Sequence, residues 1–301
     1  MKRYKDIAGD GGSNIIAQVV EHQARLRERM ATVRYTIAVV SGKGGVGKSS
    51  LSANLAVALA RDGAPVGVLD GDINGPSIAK ILGVRGHRLT ITEAGVFPAV
   101  SAQGIRAMSM DLLLPSDETP VTWDAPTQSE AYTWRGTMEA NTLREFLTDT
   151  IWGELDYLII DLPPGTDRLP TLAGLLTDLT GSIIVTIPSE ISTLVVKKSI
   201  AMAQETKSPI LGLVENMAGY VCPHCGELGE LFGGGETERM AADFGISFLG
   251  SIPFDPRLAH AADRGAPFVA EQSESLAARA IGQVAERLRA TLTGASHRLS
   301  R

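Results

Sequence analysis

The range of roles open to this 301-residue chain is narrowed first by what it lacks. It carries no excess of positive charge: 28 Lys and Arg stand against 34 Asp and Glu, a net charge of −6. That balance argues against a general nucleic-acid binder, which would show a basic face or stripe. No segment approaches the roughly 18 continuous apolar residues that span a bilayer. Met1-Lys2-Arg3-Tyr4-Lys5-Asp6 leads into Gly and Asp, not into an apolar stretch. The start therefore does not read as a secretory signal, and the chain is expected in the cytoplasm. Cysteine is nearly absent. There are two, Cys222 and Cys225, in C-x-x-C spacing, and in a cytosolic chain such a pair points to metal binding or redox chemistry more than to a structural disulfide. No internal repeat and no second domain is visible. At 44% apolar and 21% charged residues the chain has an ordinary globular balance, enough for one large core.

The stretch that organises the rest is Ile37 to Asn54, IAVVSGKGGVGKSSLSAN. Gly42, Lys43, Gly44, Gly45, Val46, Gly47, Lys48 and Ser49 fit the phosphate-loop pattern, glycine, four residues, then Gly-Lys-Ser, with Ser50 next. The apolar run before it suits a buried parallel strand, and Leu51 to Ala60 suits a helix. A glycine-rich turn between them turns backbone N–H groups toward a phosphate, with the positive end of the helix behind them. Lys48 is expected to reach the β- and γ-phosphates of ATP and Ser49 to complete Mg²⁺ coordination.

The remaining chain alternates strands and helices. Ser13-Asn14 is expected to cap a helix running to about Ala31. Val66 to Asp70 reads as a strand ending on an acid at the phosphate side of the sheet, which brings Asp70 and Asp72 near the nucleotide. Asp72 is the candidate for positioning the attacking water, and Asp70 for holding a Mg²⁺-bound water or bracing the loop. Gly95–Val100 and Gly104–Met110 read as a hairpin-like pair, 115–135 as a long surface loop, and Thr137–Thr150 as a helix. Asp156–Asp161 is an apolar strand ending on the acid of a Walker B site, with Gly165 beyond it as a sensor of hydrolysis. Strands follow at Ile183–Ile187, Ile210–Asn216 and Ser247–Ile252, with a helix after Pro188 to about Thr206. Asn216 either reads a base edge or caps a turn. The last helix, Glu274 to about Leu292, has an apolar stripe without aromatics, which suits docking on the sheet better than a membrane surface. These elements predict a doubly wound, mainly parallel α/β sheet. The expected parts are an N-terminal tail and helix over 1–32, one phosphate-loop ATPase domain over 33–293 and a tail over 294–301.

With Lys43 at its second position, the loop resembles the deviant phosphate-loop ATPases, a class that includes the nitrogenase iron protein and the MinD and ParA positioning ATPases. The resemblance implies a homodimer closing on two ATP molecules, with Lys43 reaching the partner's nucleotide and stabilising charge in phosphoryl transfer. The cysteines leave several readings open: half a zinc site, a redox pair, or two ligands of an iron–sulfur cluster. A thioredoxin-type pair sits at a helix start after an early strand, and this one follows the fifth strand. One chain supplies two thiolates where zinc or a [4Fe–4S] cluster generally takes four ligands, and His224 between them is badly placed to reach the same metal. Two chains across a two-fold axis complete the set most simply.

The chain as a whole resembles the Mrp/ApbC family of iron–sulfur cluster carrier ATPases over about residues 35–272. The shared stretches are SGKGGVGKSS, LDGDINGPSIAKILG, WGELDYLIIDLPPGT, VENMAGYVCPHCGELGELFGGG, GSIPFDP and DRGAPFV. The resemblance implies that Cys222 and Cys225 hold a [4Fe–4S] cluster bridging two chains, and that ATP binding and hydrolysis govern cluster loading or transfer to apo client proteins. Hydrolysis is expected to be slow, since no cis arginine finger is identifiable by position, and the acidic balance and the terminal helix without aromatics count against a nucleic-acid partner and a stable membrane association. Two departures stand out. Thr166 is followed by Asp167-Arg168-Leu169-Pro170 where the family often has Gly-Asp, and Val195-Val196 stand where an acid is expected. A MinD- or ParA-like positioning ATPase and a zinc-bridged nucleotide-binding scaffold are the competing readings.

Overall fold

The computed structural model describes residues 15–116, 119, 121, 128–230 and 235–299; side chains in the helices at 15–19, 128–135 and 295–299 are not described. Eleven strands and ten α-helices alternate along these residues. They are α1 (Ile15–Met30), β1 (Val33–Val40), α2 (Lys48–Ala60), β2 (Val66–Asp70), α3 (Ile78–Ile81), β3 (Thr90–Thr92), β4 (Gly95–Phe97), β5 (Ala99–Val100), β6 (Arg106–Met108) and α4 (Gln128–Asp149). There follow β7 (Leu155–Asp161), α5 (Arg168–Leu175), β8 (Gly181–Thr186), α6 (Glu190–Glu205), β9 (Ile210–Val221) and β10 (Leu228–Gly229). The chain ends with α7 (Glu236–Asp243), β11 (Phe248–Phe254), α8 (Pro256–Asp263), α9 (Phe268–Glu271) and α10 (Leu276–Leu299).

Nine strands form one sheet in the order β10-β9-β8-β1-β7-β2-β6-β5, with β11 also paired to β9. Pairing is parallel throughout its centre and antiparallel only at β5–β6 and β9–β10. The central strands are buried without alternation. Thr36 to Val40, all of β2 and all of β8 are inaccessible, the pattern of strands covered on both faces. Ile37 and Val39 belong to the core under α2 and α10, with Leu51, Leu55, Ile281 and Leu288. Ala38 and Val40 belong to the opposite core, with Leu26 of α1, Leu147 of α4, Leu172 of α5 and Ile200 of α6. The expected doubly wound sheet is therefore present.

Several local expectations change. Residues 95–110 do not form a single hairpin. β5 pairs with β6, but β4 turns away and pairs with β3 as a separate two-stranded ribbon, and β6 joins the main sheet parallel to β2. The expected loop at 115–135 is shorter than it reads, because α4 already starts at Gln128; residues 122–127 lie outside the described residues. So do the expected caps Ser13 and Asn14. The fifth expected strand does not stop at Asn216 but continues as β9 to Val221, and the last helix runs to Leu299.

Candidate nucleotide site and cysteine hairpin

The parallel strands deliver their carboxyl ends to one edge of the sheet. β1 leads into the turn 41–47, and Gly47 at φ +77° caps α2. Only glycine takes that left-handed conformation without cost, and a Cβ there would also strike the Asn216 amide. Asp161 closes β7 beside Asp70 at the end of β2. Its buried carboxylate accepts three hydrogen bonds: Lys48 Nζ at 2.8 Å, Ser49 Oγ at 2.6 Å and Ser52 Oγ at 2.8 Å. Both side chains expected on phosphate and Mg²⁺ are thus gathered on the acid expected to hold the metal through water. A charge buried this deeply persists only when paired and hydrogen-bonded, and here three donors satisfy it. Ser52, one helical turn beyond Lys48, was not singled out from the sequence, although the i, i+4 spacing places it on the same face.

Asp70 does not face open space. It accepts Ser77 N–H at 2.9 Å, Ile78 N–H at 3.0 Å and Ser109 Oγ at 3.0 Å, so it braces the start of α3 and the turn after β6. Burial pushes its carboxyl up to about 7, and the nearby Asp161 charge adds to the shift. Asp72 is half-buried in the turn after β2, where its Oδ1 accepts Gly75 N–H at 3.1 Å. Gly165, at φ +132°, donates its N–H to Ser41 O at 2.9 Å, which lays the loop after β7 along the start of the phosphate turn. Gly42 faces Val195 of α6 and would strike it if it carried a Cβ. The position where an acid is expected is therefore filled by an apolar contact. Lys43 and Gly44 are exposed at the tip of the turn.

Asn216 donates its Nδ2 to Val46 O at 2.8 Å and so braces the phosphate turn from β9. Beside it opens a cavity of 180 Å³ lined by Gly47, Ser50, Met217, Pro253, Phe254 and Ile281. Ser50 Oγ is buried here without a hydrogen-bond partner among the described residues, and buried polar atoms are rarely left so. An apolar slot, an unused hydroxyl and a turn of backbone N–H groups at a helix start together fit a nucleotide: base in the slot, phosphates on the turn. Ser49 and Asp161 are the residues that would hold Mg²⁺ with it.

The cysteines lie at the far end of β9. Cys222 N–H bonds to Glu227 O at 2.9 Å and Gly226 N–H to Cys222 O at 2.8 Å, and β10 returns alongside Val221. Cys222-Pro-His-Cys225-Gly226 is thus the tip of a β-hairpin, with both thiols free, Cys222 half-buried and Cys225 exposed. The backbone N–H groups of Cys225 and His224 point at the Cys222 sulfur and hold its thiol below the usual range, with the Cys225 side chain adding to this. Stabilised thiolate is the form that binds metal. Among the described residues no group of three or more His, Cys, Asp or Glu could hold a metal ion.

Comparison with known proteins shows the family. Residues 32–289 match the family model described as ParA: NUBPL iron-transfer P-loop NTPase. The chain belongs to this family. It is 45% identical over 272 residues to the iron-sulfur cluster carrier protein of Saccharolobus solfataricus, covering 90% of this chain and 88% of that one. To the iron-sulfur cluster carrier protein of Methanocaldococcus jannaschii it is 47% identical over 252 residues, 83% of each chain. A solved structure from Archaeoglobus fulgidus, described as a nucleotide-binding protein in complex with ADP with Co found by PIXE, superposes with a TM-score of 0.70 at 38% identity. It covers 84% of this chain and 94% of that one. β9 carries Asn216 beside the phosphate turn and leads into the cysteine hairpin.

Proposed function

We propose that the protein is an ATP-dependent iron–sulfur cluster carrier that holds its cargo between two copies of the chain. The observation that carries this reading is the C-x-x-C hairpin tip, with two free thiols and, among the described residues, no group of three or more His, Cys, Asp or Glu that could hold a metal ion. A second copy supplies the remaining two, giving four thiolates for a [4Fe–4S] cargo. Lys43, exposed at the tip of the phosphate turn, then reaches the partner's nucleotide. Asp72 orients the attacking water, and Lys48 with Mg²⁺ on Ser49 and Asp161 stabilises the transferring phosphoryl group. Hydrolysis is slow, in a cytoplasm whose reducing poise keeps both thiols free. The partners are apo-proteins that accept the cluster, and neither nucleic acid nor a membrane is required. Among the described residues no helix is long and apolar enough to cross a membrane.

The test is transfer. The full chain is reconstituted anaerobically with iron and sulfide, freed of excess reagents and mixed with an apo [4Fe–4S] enzyme with and without Mg-ATP. Recovery of acceptor activity that depends on both cysteines and changes rate with ATP is the expected result. A Cys222→Ala, Cys225→Ala variant that transfers as well as the wild type would sink the reading. A wild type that takes up zinc and no iron would move it to a zinc-bridged scaffold.

A further inference from the structure

Two loops flank the phosphate side of the nucleotide site, the turn 71–76 after β2 and the loop 162–167 after β7. Their bases are tied by one backbone bond, Gly71 N–H to Asp161 O at 2.8 Å. Their outer parts share no such bond and instead meet on a third element. Glu139 of α4, 9% exposed, spans them with its two oxygens. Oε1 accepts Asn74 Nδ2 at 2.5 Å, and Oε2 accepts Arg168 Nη1 at 2.7 Å. Asn74 lies two residues beyond Asp72. Arg168 opens α5 three residues beyond Gly165 and stands in the stretch where this chain departs from the family pattern.

We propose that Glu139 is a positioning residue that fixes the Asp72 turn and the Gly165 loop relative to each other, and so sets the geometry in which phosphoryl transfer occurs. The argument rests on connectivity and on charge. A carboxylate this deeply buried is held by paired, charge-assisted hydrogen bonds, and each of its oxygens is committed to a different loop. Arg168 is correspondingly committed to Glu139: its Nε is buried without a hydrogen-bond partner among the described residues, and its other carboxylate contact, Asp167, stands 3.8 Å away. Of the described residues 41–49, none hydrogen-bonds to Glu139, which bonds to Asn74 and Arg168. Its influence on the nucleotide therefore runs through the two loops, on the turnover step more than on nucleotide binding.

This inference rests on the ATPase reading of Asp72 and Gly165, and its test separates the two. Mg-ATP turnover, ADP affinity and amide hydrogen exchange are measured on the full-length wild type, Glu139→Ala, Arg168→Ala and the double variant. Displacement of a reacting group by about 1 Å costs up to roughly a hundredfold in rate, so Glu139→Ala is expected to lower kcat by about tenfold to a hundredfold with ADP affinity kept within about twofold. Arg168→Ala, at a partly exposed side chain that tolerates truncation, is expected to reproduce most of that loss. The double variant, which removes both members of the Glu139–Arg168 ion pair, is expected to be no slower than the worse single variant. Amides of 71–75 and 165–168 should exchange faster together while those of 42–47 do not change. Wild-type kcat in Glu139→Ala, or additive losses in the double variant, would overturn the proposal. If the wild type binds ADP but turns over no ATP, the ATPase reading fails by itself, and exchange decides this inference: loops that loosen together uphold it, and loops that loosen separately overturn it.

Discussion

At the scale of single residues, the site is organised by two carboxylates on neighbouring strand ends with opposite treatment. Asp161 collects Lys48, Ser49 and Ser52, while Asp70 collects only neutral donors. Asp70 accordingly holds its proton up to about pH 7, burial being the main cause and the Asp161 charge the second. The unfolded chain ionises this group near the ordinary aspartate value of 3.8, so between about pH 4 and pH 7 the native state binds more protons than the unfolded one. Stability contributed by Asp70 is therefore complete below about pH 4 and is lost as the pH rises to about 7, with no further change above that. In Mg²⁺-free buffer, thermal melts of wild type and Asp70→Asn should show the wild type falling relative to the variant across that window. A difference between them that stays constant from pH 4 to pH 8 would contradict this. The acids themselves were legible in the sequence, since an apolar run ending on Asp is a strong sign of a strand end at the catalytic edge. Their division of labour was not, because it depends on which donors the turns after β2 and β6 bring within reach.

At the scale of elements, the parallel centre was the easy part and the punctuation was the hard part. The three- and four-residue apolar runs in β1, β2, β7 and β8 read as strands buried on both faces. β9 is different. It passes Met217 at φ +57° and Gly219 at φ +115°, where its register with β11 shifts between Ile252 and Phe254. A strand interrupted in this way reads from sequence as a strand that stops, which is why the cysteines look detached from the strand that carries them. The ribbon β3–β4 was hidden for the opposite reason: its three-residue strands are largely exposed and have too little pattern to see. α5 contains Pro170, which a helix accepts only in its first turn, so the residue that signals a loop in fact sits at a helix start. The role of α4 beneath the nucleotide edge can be separated from the site itself. Leu147 is fully buried between α4 and the sheet, and Leu147→Ala should cost about 2–5 kcal/mol in chemical denaturation while leaving ADP affinity within about twofold. A large loss of ADP affinity without loss of stability would show that this core does more than support the site.

At the scale of the whole molecule, the chain joins two functions along one sheet. The nucleotide edge uses the ends of β1, β2 and β7, and β9 runs from Asn216, which braces the phosphate turn, to Cys222, six residues further along the same strand and its bulge. At about 3.3 Å per residue that path is at most about 20 Å. The proposed function adds a partner: the two free thiols of the hairpin would make half of a four-ligand site, and Lys43, exposed on the phosphate turn, would meet the nucleotide of a second copy. The most direct measurement of that claim is native mass spectrometry of the anaerobically reconstituted full-length protein, read together with iron and sulfide content. The account predicts a dimer carrying one four-iron, four-sulfide cluster, reduced to cluster-free protein by Cys222→Ala with Cys225→Ala. A monomer that holds a whole cluster, or a dimer whose cluster survives loss of both cysteines, would contradict it.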